Sequence, residues 1–211
     1  FTGHGGRGLG ATLETTELSG FCAAGVAFPT LVGEASLVGK SFLFSRDELD
    51  ALGGLAALED VLAEDYVMGR MYADGGQRVV LAPTVLENAV GEPTVRAFFD
   101  RHLRWSMMRF RLRPFWFWCE PLTSPLAVAP FAYAAFGWWG LVYCTALALF
   151  RDVGGHLVLR GGRDLARVAL GSLPRELSFV AIWLATPLKR HVAWRGHRMR
   201  LGPKTLLFPA A

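Results

Sequence analysis

Two short runs in the 211-residue sequence hold residue types that could do chemistry together. The first is Ala63-Glu64-Asp65-Tyr66, which the spacing places at the start of a helix, just after a Gly-Gly turn. Free backbone amides and the helix dipole position a carboxylate there. An ordinary helix cap has the same pattern, so the pair reads as either a catalytic acid group or a cap. The second run is Arg101-His102-Leu103-Arg104-Trp105. On a helix, Arg101, Arg104 and Trp105 share one face through i,i+3 and i,i+4 spacing. Two guanidiniums beside an indole suit a diphosphate together with a ring or an acyl chain. A basic helix beside a membrane, with an interfacial tryptophan, has the same composition. A third feature, Gly39-Lys40-Ser41, looks like the end of a phosphate-binding loop, but residue 34 is Glu where that loop needs Gly. A turn at a strand end is the better reading there.

These residues need elements to hold them. Leu13–Leu18 reads as part of a helix and Val38–Phe44 as a short strand. Ser45-Arg46-Asp47 reads as the cap of a helix turn that ends at Gly53-Gly54. Glu64 and Asp65 open a helix that stops at Asp74-Gly75-Gly76. Gln77–Leu81 and Thr84–Leu86 read as strands. Pro93 opens a strongly basic helix that runs to about Leu112. Strands alternating with helices make residues 1–112 the tail of an α/β domain.

Beyond Phe115 the character changes. Residues 121–150 contain no Asp, Glu, Lys or Arg. A bilayer core needs about 20 apolar residues per helical span. A hairpin that borrows residues on either side is the first expectation, and one long tilted helix the second. A further apolar run, Val168–Leu188, contains Arg175 and Glu176. A charged pair at the bilayer centre is costly. The segment is therefore expected near the interface or lying flat, with the pair facing headgroups.

Composition agrees. The chain is 52% hydrophobic and 19% charged, with mean hydropathy +0.31, seven Trp and fifteen Phe. Disorder, collagen and disulfide scaffolds are excluded. Residues 1–95 carry five Lys/Arg against thirteen Asp/Glu, and residues 96–211 carry seventeen against five. The basic half is also the apolar half, which fits a cytoplasmic membrane boundary and argues against a nucleic-acid partner.

Other motifs fail. Gly3-His4-Gly5-Gly6-Arg7-Gly8 matches a dinucleotide loop, but only two residues precede it. The five histidines and three cysteines show no metal-ligand spacing. Cys22, Cys119 and Cys144 read as buried thiols. The chain starts at Phe1 in mid-element and is expected to be the C-terminal part of a longer protein.

The order Glu64-Asp65, Arg101-x-x-Arg104-Trp105, then apolar segments, resembles the membrane-bound family 2/21-type glycosyltransferases. Val38-Gly39-Lys40-Ser41, Leu52-Gly53-Gly54-Leu55, Leu62-Ala63-Glu64-Asp65-Tyr66, Cys119-Glu120-Pro121, Pro174-Arg175-Glu176-Leu177-Ser178 and Trp194-Arg195-Gly196 fall in the order seen in the ceramide glucosyltransferases. A hopanoid-associated group is similar but tends to have Asp-Asp in place of Glu64-Asp65.

The resemblance implies the C-terminal portion of an α/β, GT-A-type domain followed by transmembrane or interfacial helices. Residues 1–113 would be the catalytic part, 114–159 a transmembrane hairpin, and 160–211 a membrane-associated helix and basic tail. It implies inverting transfer of a hexose, glucose first, from a UDP-sugar to the primary hydroxyl of ceramide or a similar membrane lipid. Asp65 would be the general base. Glu64, Arg101, Arg104, Trp105 and Lys40 would bind donor or acceptor. The family's divalent metal, Mg or Mn, is expected on a D-x-D motif, and no D-x-D occurs in this chain. The piece alone is therefore expected to be inactive. An integral protein of a bacterial inner membrane, with its catalytic side cytoplasmic, is implied. The competing readings are transfer to a hopanoid or other lipid, and a non-catalytic membrane scaffold.

Overall fold

A computed structural model describes residues 1–34, 37–194 and 196–209. Along the chain, strand β1 (Thr2–His4) leads into helix α1 (Gly8–Glu17), which continues into a π-helical turn at Leu18–Cys22. Helices α2 (Ala23–Leu31), α3 (Arg46–Ala51) and α4 (Glu64–Asp74) follow, then strand β2 (Glu87–Ala89) and helix α5 (Val95–Leu112). The apolar part holds α6 (Pro114–Cys119), α7 (Pro125–Phe136), α8 (Trp138–Arg160) and α9 (Leu165–Ala185). Strands β3 (His191–Trp194), β4 (His197–Leu201) and β5 (Leu207–Pro209) complete the described chain.

These elements form two compact units. The first comprises Phe1–Ala23 and Val85–Lys189. In it β1 and β2 pair in parallel, Thr2 opposite Glu87 and His4 opposite Ala89. β1 overlaps the start of the Gly3–Gly8 run, and Gly5–Arg7 join it to α1. Gly6 has φ +66, and a Cβ there would run into the Gly91 carbonyl. Leu13 of α1, Phe98 of α5 and Ile182 of α9 form one apolar cluster, with Ala11, Leu18 and Val90 forming another. Gly171 lets α9 approach α1 closely, since a Cβ would lie 2.6 Å from Thr16 Oγ1.

The second unit comprises Ala24–Thr84 and Arg190–Ala211. Leu49, Leu58, Met68 and Tyr72 form its core. The basic tail becomes an antiparallel sheet, β3-β4-β5. It joins the helical segment through Leu62 N–H to the Thr205 carbonyl (3.0 Å) and Leu207 N–H to the Asp60 carbonyl (2.8 Å).

Several expected elements move. Among the described residues 37–45 there is no strand, and 77–86 is irregular, with the strand at Glu87–Ala89 instead. Pro83 has no N–H to give a ladder, and β1 supplies its parallel partner beyond it. The basic helix starts at Val95, because the Thr94 hydroxyl accepts the Ala97 N–H (3.1 Å) and makes Thr94, not Pro93, the cap. It ends where Arg113 precedes Pro114, a step that disfavours helix.

In the apolar part α7 and α8 fold back on each other at Gly137, φ +59. With 12 residues α7 is about 18 Å long, short of a bilayer core of about 30 Å. Trp138–Arg160 and Leu165–Leu188 are long and apolar enough to cross a membrane. Trp139, Phe150, Leu170, Leu177 and Leu184 are exposed. Arg175 and Glu176, expected to face headgroups, are instead fully buried. Asp152 on α8 accepts from Arg175 (2.8 Å), and Arg151 donates to both Asp152 and Glu176. Opposite charges on facing helices satisfy one another, so neither needs the headgroup layer.

Candidate functional site

The acidic motif opens α4 as the sequence predicts. Ala63 has non-helical φ/ψ, and Glu64 and Asp65 occupy the first turn. Asp65 Oδ2 accepts the Gly39 N–H and Oδ1 the Tyr66 N–H, both at 2.7 Å. Those two amides fix the carboxylate on a half-buried site. The fold thus brings Gly39, and with it the neighbouring Lys40, to Asp65, although 26 residues separate Gly39 from Asp65 in sequence. Glu64 and Lys40 are exposed. The start of α4 is braced by the tail, since Ala63 N–H donates to Thr205 Oγ1 (3.3 Å) and Thr205 is fully buried.

The basic motif lies on α5 in the other unit. Arg101, Arg104 and Trp105 fall on one side of the helix, all half-buried. Arg101 is engaged already: Nη1 donates to Glu14 Oε1 at 2.6 Å. His102 Nε2 donates to the other Glu14 oxygen at 3.1 Å. Burial pushes the Glu14 carboxyl up, but His102 and Arg101 outweigh it and hold it below the usual carboxylate range. Arg104 is lowered by burial and by the like charge of Arg101. Trp105 packs against the Ala11, Leu18 and Val90 cluster. One helical turn on, Arg109 forks onto Glu120 (2.6 and 3.1 Å). Burial disfavours the Arg109 charge, yet the Glu120 pair raises its pKa overall. Glu17, three residues after Glu14, is pushed up by burial.

Sequence reasoning missed Glu14, Glu17 and Asp152 as the partners of Arg101, His102 and Arg175. A signal existed: Glu14 and Glu17 are one helical turn apart inside an otherwise apolar and Thr-rich stretch. Arg101 lies 87 residues from Glu14, and Glu17 meets Arg175 of α9; no spacing rule reaches that far.

Among the described residues one group of metal-capable side chains comes together, Glu17, Cys22 and His102. A thiol and an imidazole are borderline-soft donors, whereas magnesium and manganese take oxygen ligands. These residues do not fit the divalent ion that the resemblance implies, and no step below runs through it.

The model of glycosyl transferase family 21 matches residues 1–207. The chain belongs to that family. This family 21 chain is 29% identical over 124 residues to ceramide glucosyltransferase 1 of Caenorhabditis elegans, covering 56% of this chain and 24% of that protein. It is 33% identical over 85 residues to ceramide glucosyltransferase 3 of the same organism, covering 40% of this chain and 18% of that protein. The chain therefore spans about a quarter or less of the relatives it matches. No solved structure matches it.

Proposed function

We infer that the protein transfers glucose from UDP-glucose to the primary hydroxyl of ceramide or a closely similar membrane lipid, with inversion at the sugar. One observation carries this reading: a family 21 chain presents Asp65 at a helix start, with its carboxylate held by two backbone amides. The curated relatives, both ceramide glucosyltransferases, support the acceptor class. The exposed apolar surface of α8 and α9 supports a membrane setting for it.

In this reaction Asp65 takes the acceptor hydroxyl proton while that oxygen attacks the anomeric carbon and UDP departs from the opposite face. Its two amide contacts hold the carboxylate in one orientation, so the base is in place before the acceptor arrives. Arg104 stabilises the charge that builds on the leaving diphosphate. Arg101, held by Glu14, keeps its remaining guanidinium N–H groups for the same phosphates and fixes the rotation of α5. Lys40 and Glu64 contact the donor sugar, and Trp105 seats the acceptor. The GT-A domain and the cytoplasmic placement of this chemistry belong to the same reading.

Asp65→Asn tests it. The amide preserves size and the Gly39 contact but cannot accept the proton. In membranes expressing the full-length enzyme that contains this chain, the variant should lose kcat by about 10²–10⁴-fold with donor KM little changed. Transfer within a few-fold of the unaltered protein would remove Asp65 from the chemistry.

A further inference from the structure

We propose that Glu17, Cys22 and His102 form a binding site for a borderline-soft divalent metal ion, of the zinc class, that pins the π-helical turn after α1 to α5. The ligand atoms of the three side chains lie within 4.8 Å of one another. One ion with bonds of about 2.0–2.3 Å spans such a group after a small contraction. A carboxylate, a thiolate and an imidazole are a three-ligand set of the kind zinc accepts while keeping a fourth position open.

The local backbone is built for this convergence. Glu17 and Cys22 are five residues apart, and on a regular α-helix they would point about 140° apart. The π turn at Leu18–Cys22 widens the helix there and brings residues five apart towards one face. Such turns are rare and gather at functional sites. His102 reaches the same place from α5. Its Nε2–H is held by Glu14, which fixes the tautomer and leaves Nδ1 as the metal donor. A carboxylate behind a liganding histidine is the usual outer-shell partner of a metal-bound imidazole.

Charge bookkeeping points the same way. Arg101 is taken by Glu14 and Arg109 by Glu120. Arg151 and Arg175 are taken by Asp152 and Glu176. Among these groups Glu17 is the carboxylate in excess, and its contact to Arg175 Nε is a long 3.5 Å. Arg109 shares a cavity with Glu17 but is committed to Glu120, and a buried anion without a close cation of its own is costly. A divalent ion between Glu17, the Cys22 thiolate and the neutral imidazole matches it, and Cys22 gives up its thiol proton to solvent as the ion binds. Beside the group, Phe98, Phe179 and Ile182 line the small cavity shared with Glu17, His102 and Arg109. The apolar part of that wall limits competition from water. The ion would sit one residue from Arg101 and one turn from Trp105, so its occupancy would set how rigidly the basic face of α5 is held.

The test uses the purified chain in detergent with cobalt(II), then zinc(II), as the probes. One cobalt per chain should bind, with tetrahedral d–d bands and a cysteinate charge-transfer band. Zinc should displace it stoichiometrically. Cys22→Ser should abolish the charge-transfer band, while Cys119→Ser and Cys144→Ser keep it. Glu14→Gln should weaken cobalt binding by about 10–100-fold. A measurement without variants guards against misfolding: zinc should slow alkylation of Cys22 in the unaltered chain, read by peptide mass spectrometry, and leave Cys119 unaffected. A charge-transfer band that survives Cys22→Ser in folded protein would overturn the site. So would zinc that leaves the alkylation of Cys22 unchanged.

Discussion

Arg175 is the side chain whose loss should cost most. It is fully buried, and Asp152 and Glu176 depend on it at 2.8 and 2.7 Å. Arg175→Met would leave those carboxylates with Arg151 as their close cation, beside the neutral donors Ser172, Ser124 and the Leu126 N–H. Breaking such a group from one side typically costs about 3–5 kcal/mol. Denaturant unfolding in detergent should show a loss of that size, and a change below about 1 kcal/mol would mean that the network is not holding α8 to α9. At this scale the sequence was informative about Asp65 and misleading about Arg175. Asp65 sits at a local helix start, which residue order reveals, although its contact to the Gly39 N–H, 26 residues away, was not legible there. Arg175 is positioned by a facing helix, and residue order says only that a charge in an apolar run must be explained. Arg101 falls between: its place on the α5 face was legible, but its commitment to Glu14 was not, because that contact depends on how α1 packs.

At the level of elements, helices with a polar start and a glycine or proline stop were read well. α3, α4 and α5 lie within a few residues of where caps and breakers place them. Strands were read poorly. Gln77–Leu81 forms no strand among the described residues, while Glu87–Ala89 has little strand character and pairs because β1 lies beside it. Pairing is a long-range property, and short windows do not contain it. Two element-scale measurements follow. Thr94→Ala should cost about 0.5–2 kcal/mol, as loss of a side-chain cap usually does, and leave the spectrum of a folded helix intact. Gly171→Ala should cost about 1–3 kcal/mol by forcing α9 away from Thr12 and Thr16 of α1. A neutral Gly171→Ala in unfolding experiments would show that the α1–α9 approach is looser than the structure has it.

For the molecule as a whole, the tail and the helical segment that carries Asp65 share one unit, so they must share one side of the membrane. Ala57→Cys and Pro203→Cys, both at exposed positions, should label from the same side in a cysteine-less background. The inside-positive bias predicts cytoplasmic labelling for both. Gly162, in the exposed turn between α8 and α9, is the fitting third probe. If Gly162→Cys also labels from the cytoplasm, α9 lies along the interface and its charges are served by Asp152 and Arg151, not by headgroups. Labelling of Pro203→Cys from the side opposite to Ala57→Cys would refute the pairing of tail and helical segment. The reaction itself is the claim most worth testing. Membranes expressing the full-length enzyme that contains this chain are incubated with UDP-glucose labelled in the sugar, with and without added ceramide, and label is counted in the extracted lipid. Ceramide-dependent label should appear in a glucosylated lipid and be lost in Asp65→Asn. Label that stays in the aqueous phase with ceramide present, or that reaches lipid equally well in Asp65→Asn, would contradict it.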